Sequence, residues 1–204
     1  ADVISTVSPT YAREIQTPEY GYGLDGDLRA RGDAITGILN GVDYEDWDPR
    51  CDRHLPQHYN ASQLGIKAEI KQDFMQRMGL ATGGRSRSPL LGMVTRLAFQ
   101  KGVDLLFDAL PRLLAERDFR LAVLGSGEPQ YEEFFTRLGH EHPTRVSFRS
   151  GYSEEHAHWI EAASDMFLMP SLYEPCGLNQ MYSLRYGTVP IVRRTGGLAD
   201  SVQH

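Results

Sequence analysis

Short apolar runs alternate with amphipathic stretches through the second half of the chain. The apolar runs predict strands at 89–95, 120–124, 145–148, 166–169 and 189–193, and the stretches between them predict helices at 103–115, 131–138, 154–163 and 178–186. A strand, a helix and a further strand in this order form a right-handed crossover, which requires a parallel sheet covered on both faces. We therefore expect a Rossmann-like α/β domain over residues 86–204.

The first 85 residues follow a different pattern. A predicted strand at 3–8 and helix at 9–15 are followed by a glycine-rich turn, a short helix from about residue 24 and a short apolar segment at 35–39. Residues 42–58 have no regular period and are interpreted as a linker or hinge, whereas residues 61–80 repeat apolar side chains at helical spacing. We assign 1–36 to the last elements of an N-terminal domain, 37–85 to a hinge with a connecting helix, and 86–204 to a truncated C-terminal domain. The chain is thus expected to be a piece of a longer polypeptide.

Composition narrows the possible classes of protein. The chain has 204 residues, of which 41% are hydrophobic and 24% charged, an ordinary balance for a globular protein. Its net charge of −6 argues against a general nucleic-acid binder. We find no apolar run of the roughly 18 residues that span a bilayer and no secretory leader, so no membrane partner is expected.

Cysteine and histidine usage points to a reducing compartment and to chemistry without a metal. Cys51 and Cys176 are too few and too far apart for a disulfide framework. Four histidines lack the spacing of metal ligands and are interpreted as surface or structural residues: His140, His142, His156 and His158.

The strongest chemical signal is the segment Glu174-Pro-Cys-Gly-Leu-Asn-Gln, between the fourth predicted strand and the helix at 178–186. It places a carboxylate and a glycine turn at the carboxyl end of a strand, where open α/β sheets bind ligands. The start of a helix presents unpaired backbone N–H groups that suit a phosphate or a developing anion. We interpret this site as sugar-nucleotide chemistry. The alternative is a plain helix cap whose glutamate pairs with Arg185 or a neighbour.

Other turns at the same edge of the predicted sheet add basic, glycine and aromatic residues. Arg96 and Lys101 lie on one strand-to-helix loop and can clamp a diphosphate from two sides, the alternative being ordinary surface pairing. Gly125 and Gly127 form a turn that lets a base or ribose approach closely, but the third glycine of a dinucleotide fingerprint is missing. Tyr152 could stack on an adenine or uracil ring, or be an ordinary surface or core tyrosine.

Together these residues resemble bacterial glycogen synthases and plant starch synthases. The resemblance rests on the run from Glu174 to Pro190, on Arg193-Arg-Thr-Gly-Gly-Leu-Ala-Asp and on three further motifs: Val7-Ser-Pro-Thr-Tyr-Ala-Arg-Glu, Gly37-Ile-Leu-Asn-Gly-Val-Asp and Arg96 with Gln100-Lys-Gly. It covers essentially the whole chain. It implies the C-terminal half of a two-domain GT-B glycosyltransferase. The implied enzyme moves glucose from ADP-glucose to the non-reducing end of an α-1,4-glucan primer (glycogen or starch), with retention of configuration.

The resemblance also implies roles for individual residues. Arg96 and Lys101 would hold the diphosphate, Tyr152 would stack on adenine, and Glu174 would contact the transferring glucose. The anion hole for sugar or phosphate would be formed at Cys176, Gly177, Leu178 and Asn179. ADP-glucose is the donor substrate, and neither a cofactor nor a metal is required.

Two alternatives to this function are considered. One is a GT-B transferase that uses UDP-glucose or another sugar nucleotide, and the other is a binding-only nucleotide module. The chain lacks the family's N-terminal lysine-containing glycine loop, a histidine near the sugar and the final helices, so we expect it to be inactive alone. The expected location is the bacterial cytoplasm, with the plastid stroma as the second choice.

Overall fold

The computed structural model describes residues 2–82 and 88–203, and the strands of this part of the chain form two parallel sheets. The smaller sheet pairs β1 (Ile4–Thr6) with β2 (Ile35–Gly37). The larger sheet has the order β5-β4-β3-β6-β7 and consists of β3 (Leu90–Val94), β4 (Arg120–Gly125), β5 (Val146–Ser150), β6 (Met166–Met169) and β7 (Val189–Val192). These are the five strands that the sequence pattern predicts, in a parallel arrangement.

Helices cover both faces of the larger sheet, which confirms the predicted α/β class. The helices of the described residues are α1 (Pro9–Glu14), α2 (Asp25–Ala30), α3 (Leu64–Arg77), α4 (Leu106–Glu116), α5 (Pro129–Glu141), α6 (Glu154–Ala163), α7 (Asn179–Tyr186) and α8 (Gly196–Ser201). One hydrophobic cluster joins α3, α6 and α7 to one face, and a second cluster joins α4 and α5 to the other. Within these residues, no helix combines the length and the apolar character that a bilayer crossing demands.

Strand β4 shows why the sheet needs helices on both sides. All six of its residues are buried. Leu121 and Val123 belong to the cluster with α4 and α5, whereas Ala122 and Leu124 belong to the cluster with α3 and α6. Because successive side chains of a strand point to opposite faces, the apolar run 121–124 has no face that water can cover favourably.

Element boundaries differ from the sequence prediction mainly at turns. The predicted helix at 103–115 begins as a 3₁₀ turn over Val103–Leu105, which precedes α4. The reason is Gly102, whose φ of 66° is left-handed and separates this turn from an earlier one at Phe99–Lys101. The apolar segment predicted at 35–39 is a strand only at β2. The predicted domain boundary between 85 and 86 lies outside the described residues.

Residues 42–58 contain no helix or strand, yet the segment packs tightly against the larger domain. Asp48 and Asp52 are 2% and 1% exposed. The Asp52 carboxylate accepts hydrogen bonds from the Tyr186 hydroxyl at 2.5 Å and from His158 Nδ1 at 2.8 Å. Burial alone would raise the pKa of Asp52, but these hydrogen bonds outweigh it and lower that pKa. The linker predicted from composition is thus a structured part of the domain surface.

The sheet order creates a switch point between β3 and β6. The chain moves outward from β3 through β4 to β5, and then returns to the other side of β3 to form β6 and β7. The connections on the two sides of this point leave in opposite directions, so the loops at the carboxyl ends of β3 and β6 separate and leave a crevice. The fold therefore places the candidate site between these two strands.

A buried carboxyl group lies between α6 and α7. Glu161 is 1% exposed, and its Oε2 accepts a hydrogen bond from the Ser183 hydroxyl at 2.7 Å. Its Oε1 finds no hydrogen-bond partner among the residues that the structure describes. Burial raises the pKa of Glu161 well above its usual value, and burial also lowers the pKa of nearby Lys67 to about 8.

We expect the substitution Glu161→Gln to stabilise the protein more at pH 7 than at pH 5. The raised pKa means that the folded state holds a proton that the unfolded state releases above its ordinary pKa of 4.5. Glu161 therefore makes its full contribution to the free energy of unfolding below that pH. This contribution falls as pH rises toward the folded-state pKa, by at most about 1.4 kcal/mol per pH unit. Glutamine cannot titrate and escapes this loss. Urea unfolding at both pH values measures the difference.

The exposed Glu133→Gln variant on α5 is the control for the loss of one carboxylate. The prediction would be contradicted if the free energy of unfolding differed between Glu161→Gln and the parent protein by the same amount at pH 5 as at pH 7.

Candidate functional site

A cleft of about 340 Å³ opens at the switch point between β3 and β6. Its walls are residues 93–96 at the end of β3, residues 168–171 at the end of β6, and Glu174 with residues 176–179 in the turn before α7. Lys101 and Asn40 complete the lining. The volume lies in the range of small-molecule sites, and polar groups converge on an otherwise apolar floor.

The centre of the cleft is an ion pair between Lys101 and Glu174. Lys101 Nζ donates a hydrogen bond to Glu174 Oε2 at 2.6 Å, and the Ser171 hydroxyl donates to the same oxygen at 3.0 Å. Glu174 is 6% exposed, and 17% of the Lys101 side chain is exposed. The alternative partner of Glu174, Arg185, contacts Asp48 instead. The basic loop and the acidic turn meet because β3 and β6 are neighbours in the sheet.

Gly102 permits the close approach of these loops, and Gly177 shapes the turn before α7. Gly102 has a φ of 66°, and a Cβ atom at this position would lie 2.1 Å from the carbonyl oxygen of Pro170. Gly177 has a φ of 71°, and a Cβ atom there would lie 2.5 Å from Gln180 Oε1. Both residues adopt a left-handed conformation that other residues reach only with strain. The glycine turn before α7 is therefore a backbone requirement.

The start of α7 is fixed to the end of β3. Asn179 Nδ2 donates a hydrogen bond to the carbonyl oxygen of Val94 at 2.9 Å. Cys176 is buried, and Leu178 forms the residue before the helix. The first backbone N–H groups of a helix have no partner within the helix, so this end of α7 can donate hydrogen bonds into the cleft.

Arg96 lies at the rim of the cleft. Its guanidinium is 3.3 Å from Gln100 Oε1, and the described residues show no ion pair between Arg96 and a surface carboxylate. Arg96 therefore keeps most of its donors free for a ligand, and it reaches the cleft from the same loop as Lys101.

Three predicted site residues lie outside the lining of the cleft. Tyr152 follows β5, two strands away from β3, and is 75% exposed. Gly125 and Gly127 face the loop after β3, where a Cβ atom would lie 2.0 Å from the carbonyl oxygen of Thr95 and 2.1 Å from that of Leu97, respectively. The two glycines let this pair of loops run together, and the contact that the sequence suggested with a base or ribose stays a prediction.

Sequence reasoning missed three polar residues of the cleft, which are Asn40, Thr95 and Ser171. Ser171 lies two residues after the end of β6, so its position beyond a strand end was the signal that could have identified it. Asn40 comes from the segment after β2 and was interpreted only as part of an Asn-Gly turn. No local pattern could have placed Asn40 beside the larger sheet.

The N-terminal segment holds the back of the glycine turn. The Ser8 hydroxyl donates a hydrogen bond to the carbonyl oxygen of Pro175 at 2.6 Å. Glu14 Oε1 accepts hydrogen bonds from the Gly196 backbone N–H at 2.9 Å and from the Thr195 hydroxyl at 3.0 Å. The smaller sheet is therefore attached to the larger one through the turn that carries Glu174 and through the start of α8.

Comparison with known families assigns both parts of the chain. The family model of glycosyl transferases group 1 matches residues 81–204, and that of the starch synthase catalytic domain matches residues 1–30. A glycogen synthase from Anaeromyxobacter dehalogenans (strain 2CP-C) is 58% identical over 203 residues, and one from Cellvibrio japonicus is 54% identical over 203 residues. Each alignment covers 100% of this chain and 42% of the relative. These matches confirm the resemblance to glycogen and starch synthases.

A solved structure gives the same result for the fold. The catalytic domain of Starch Synthase IV from Arabidopsis thaliana, bound to ADP and acarbose, superimposes with a TM-score of 0.93 at 42% identity. The match covers 100% of this chain and 42% of the plant protein chain. The parallel-sheet domain is therefore that of a GT-B glycosyltransferase.

We expect Lys101→Met to destabilise the protein by about 3 kcal/mol, because it leaves the nearly buried Glu174 carboxylate without its cation. The double variant Lys101→Met/Glu174→Gln should recover most of this loss, since no unpaired charge then remains. Urea unfolding of the parent protein, both single variants and the double variant gives the coupling energy. Additive effects of the two substitutions would show that the pair contributes nothing to stability.

Proposed function

Since this chain belongs to the glycosyl transferases of group 1, we propose that it forms the donor-binding part of a retaining glucosyltransferase of the glycogen and starch synthase type. The whole protein would move glucose from ADP-glucose to the non-reducing end of an α-1,4-glucan. The observation that carries this proposal is the contact between Lys101 and Glu174 in the switch-point cleft. It puts a cation for phosphate and a carboxylate for sugar hydroxyls within one small-molecule site.

The cations and amides of the cleft suit the charge that the reaction creates. Breaking the bond between the anomeric carbon and the diphosphate leaves ADP with additional negative charge. Lys101 supplies a point charge, Arg96 supplies a planar fork of donors, and the first turn of α7 supplies backbone N–H groups. Donors held in place before the reaction stabilise such charge without reorganisation. We therefore propose that the transfer needs no metal ion and no cofactor.

Glu174 acts on the sugar side of the same bond. Its carboxylate can accept hydrogen bonds from glucose hydroxyls and balance the positive charge that develops at the anomeric carbon. The charge of Lys101 is compensated by Glu174 in the structure, and an arriving diphosphate would share this lysine. Retention then follows from a front-face reaction in which the leaving phosphate accepts the proton of the acceptor hydroxyl. Glu174 is not a covalent nucleophile in this scheme.

Adenine is the base that we propose for the donor. Starch Synthase IV, 42% identical to this chain, is bound to ADP, which supports ADP-glucose over UDP-glucose or another sugar nucleotide. Tyr152 is exposed beyond the end of β5, where its ring is free to stack on a base. A binding-only module is the second alternative, and the carboxylate at the cleft centre argues against it.

We propose that the rest of the site is formed by the part of these enzymes that this chain does not match. The chain spans about 42% of the length of the curated relatives it matches. We expect it to bind ADP at most weakly and to transfer no glucose, because a site open on one side neither excludes water nor positions a glucan acceptor. The bacterial source of these relatives supports a bacterial cytoplasmic enzyme over a plastid one.

Calorimetric titration of this chain with ADP and with UDP tests the proposed donor. We expect ADP to bind at least about tenfold more tightly than UDP. The variant Tyr152→Ala should weaken ADP binding by about tenfold, since stacking of an aromatic ring on a base contributes about 1–3 kcal/mol.

The control for this titration is Tyr44→Ala, which removes an exposed tyrosine outside the cleft lining. Equal affinity for ADP and UDP would contradict ADP-glucose as the donor and favour another sugar nucleotide. Unchanged ADP affinity in Tyr152→Ala would remove the stacking role.

Arg96→Ala should lower glucose transfer from ADP-glucose by about 100-fold or more, because about 3 kcal/mol of charge stabilisation is lost. The assay uses this chain joined to the remaining sequence of the Anaeromyxobacter relative, with incorporation of labelled glucose into glycogen as the measurement. Arg112→Ala, on the exposed surface of α4, is the control. A loss of less than tenfold would rule out a diphosphate role for Arg96.

A further inference from the structure

A second cluster of polar residues lies away from the cleft, between the segment 43–60 and helix α6. Its centre is His158, which is 1% exposed. His158 Nδ1 is 2.8 Å from Asp52 Oδ2, whereas Nε2 has no hydrogen-bond partner among the described residues. A buried polar atom without a hydrogen bond normally costs free energy, so this nitrogen indicates a site for a bound ligand.

Hydrogen bonding around Asp52 determines which nitrogen of His158 carries the proton. The Asp52 carboxylate accepts hydrogen bonds from the Tyr186 hydroxyl at 2.5 Å and from the backbone N–H of His54 at 2.8 Å. A carboxylate that accepts from these two groups has no proton of its own to donate, so the third hydrogen bond is donated by His158 Nδ1. In the neutral form of the imidazole, this hydrogen bond leaves the lone pair on Nε2. A carboxylate behind the imidazole is the arrangement that orients histidine ligands of metal ions.

Two further ligand groups lie beside His158. His54, from the segment 43–60, has its ring centroid 4.6 Å from that of His158. Glu154 lies one turn before His158 on α6, and one ligand atom from each of the three residues lies within 4.8 Å of the other two. Trp47 stacks on the His158 ring with a centroid distance of 3.7 Å and an angle of 14°, which fixes the plane of the imidazole.

We propose that His54, Glu154 and His158 bind a divalent transition-metal ion, with Asp52 orienting His158 from behind. Two imidazole nitrogens and one carboxylate oxygen are the ligand types of zinc, and water would complete the tetrahedron. Ligand bonds of about 2.0–2.2 Å require the three atoms to approach one another by less than about 2 Å. The exposed Glu154 and the half-buried His54 can move by this amount, whereas His158 is fixed.

The nearby cation does not block the site. Arg53 is the charged residue next to the cluster, with Nη2 at 3.8 Å from Glu154 Oε1 and Nε at 3.4 Å from His54 Nε2. Its side chain is 69% exposed, so it can turn into solvent when an ion binds. An ion pair of two exposed side chains contributes little stability and is readily exchanged. Arg53 therefore competes with the ion and should weaken its binding.

The position of the ligands defines what the ion would do. His54 belongs to the segment between the two sheets, while Glu154 and His158 belong to α6 of the larger domain. None of the three lines the nucleotide cleft. Binding would therefore fasten the segment 43–60 to the domain, separately from the metal-free transfer reaction proposed above.

Titration of the complete chain with Zn²⁺, followed by calorimetry, tests this inference. We expect one saturable site in the parent protein and a loss of affinity of about tenfold or more in both His54→Ala and Glu154→Gln. Both substituted side chains lie at the surface of the cluster, so the fold is retained. Arg53→Ala should bind Zn²⁺ more tightly than the parent protein. His140→Ala, on α5, is the control for adventitious binding at a surface histidine.

Two spectroscopic and exchange measurements separate coordination from general binding. Co²⁺ in place of Zn²⁺ should give the intense visible absorption of a tetrahedral site, and Zn²⁺ should slow amide hydrogen exchange in residues 43–60. Absence of saturable Zn²⁺ binding by the parent protein, or affinity that is unchanged in both His54→Ala and Glu154→Gln, overturns the proposal.

Discussion

The position of β3 between β4 and β6 is the constraint on which the rest of the structure depends. Reversal of strand order at this point separates the loops that follow β3 and β6, and the crevice between them receives side chains from both. Lys101 and Glu174, 73 residues apart, meet there at 2.6 Å. If β6 lay at the outer edge of β5, the loops that carry Lys101 and Glu174 would be separated and could not form one site.

Three buried polar groups show how the protein tolerates charge inside its packed regions. Glu174 forms an ion pair with a lysine, and Asp52 accepts hydrogen bonds from a histidine and a tyrosine. Glu161 accepts a hydrogen bond from one hydroxyl group and has a raised pKa. These solutions follow one rule, that a buried charge needs a partner or gives up its charge. Only the first pair lies in the cleft, where a negatively charged ligand could share its lysine.

The sequence predicted the fold well because the five strands and their helices depend on local periodicity. It also predicted the parts of the cleft whose residues are close in sequence. These are Arg96 with Lys101 and the turn from Glu174 to Asn179, and each of them follows a strand. It could not predict Asn40, which reaches the cleft only through tertiary packing. The burial of Asp48 and Asp52 was missed for the same reason, since a segment without periodicity gives no sign of the partners that lie over 100 residues away.

The attachment of the N-terminal segment has a mechanical consequence. Ser8 forms a hydrogen bond with Pro175, Thr10 with Asp200 and Glu14 with Gly196. The N-terminal segment is therefore held both to the turn after Glu174 and to α8. These hydrogen bonds resist movement of the segment relative to the glycine turn. A displacement of the smaller sheet would therefore disturb the turn that carries the carboxylate of the cleft.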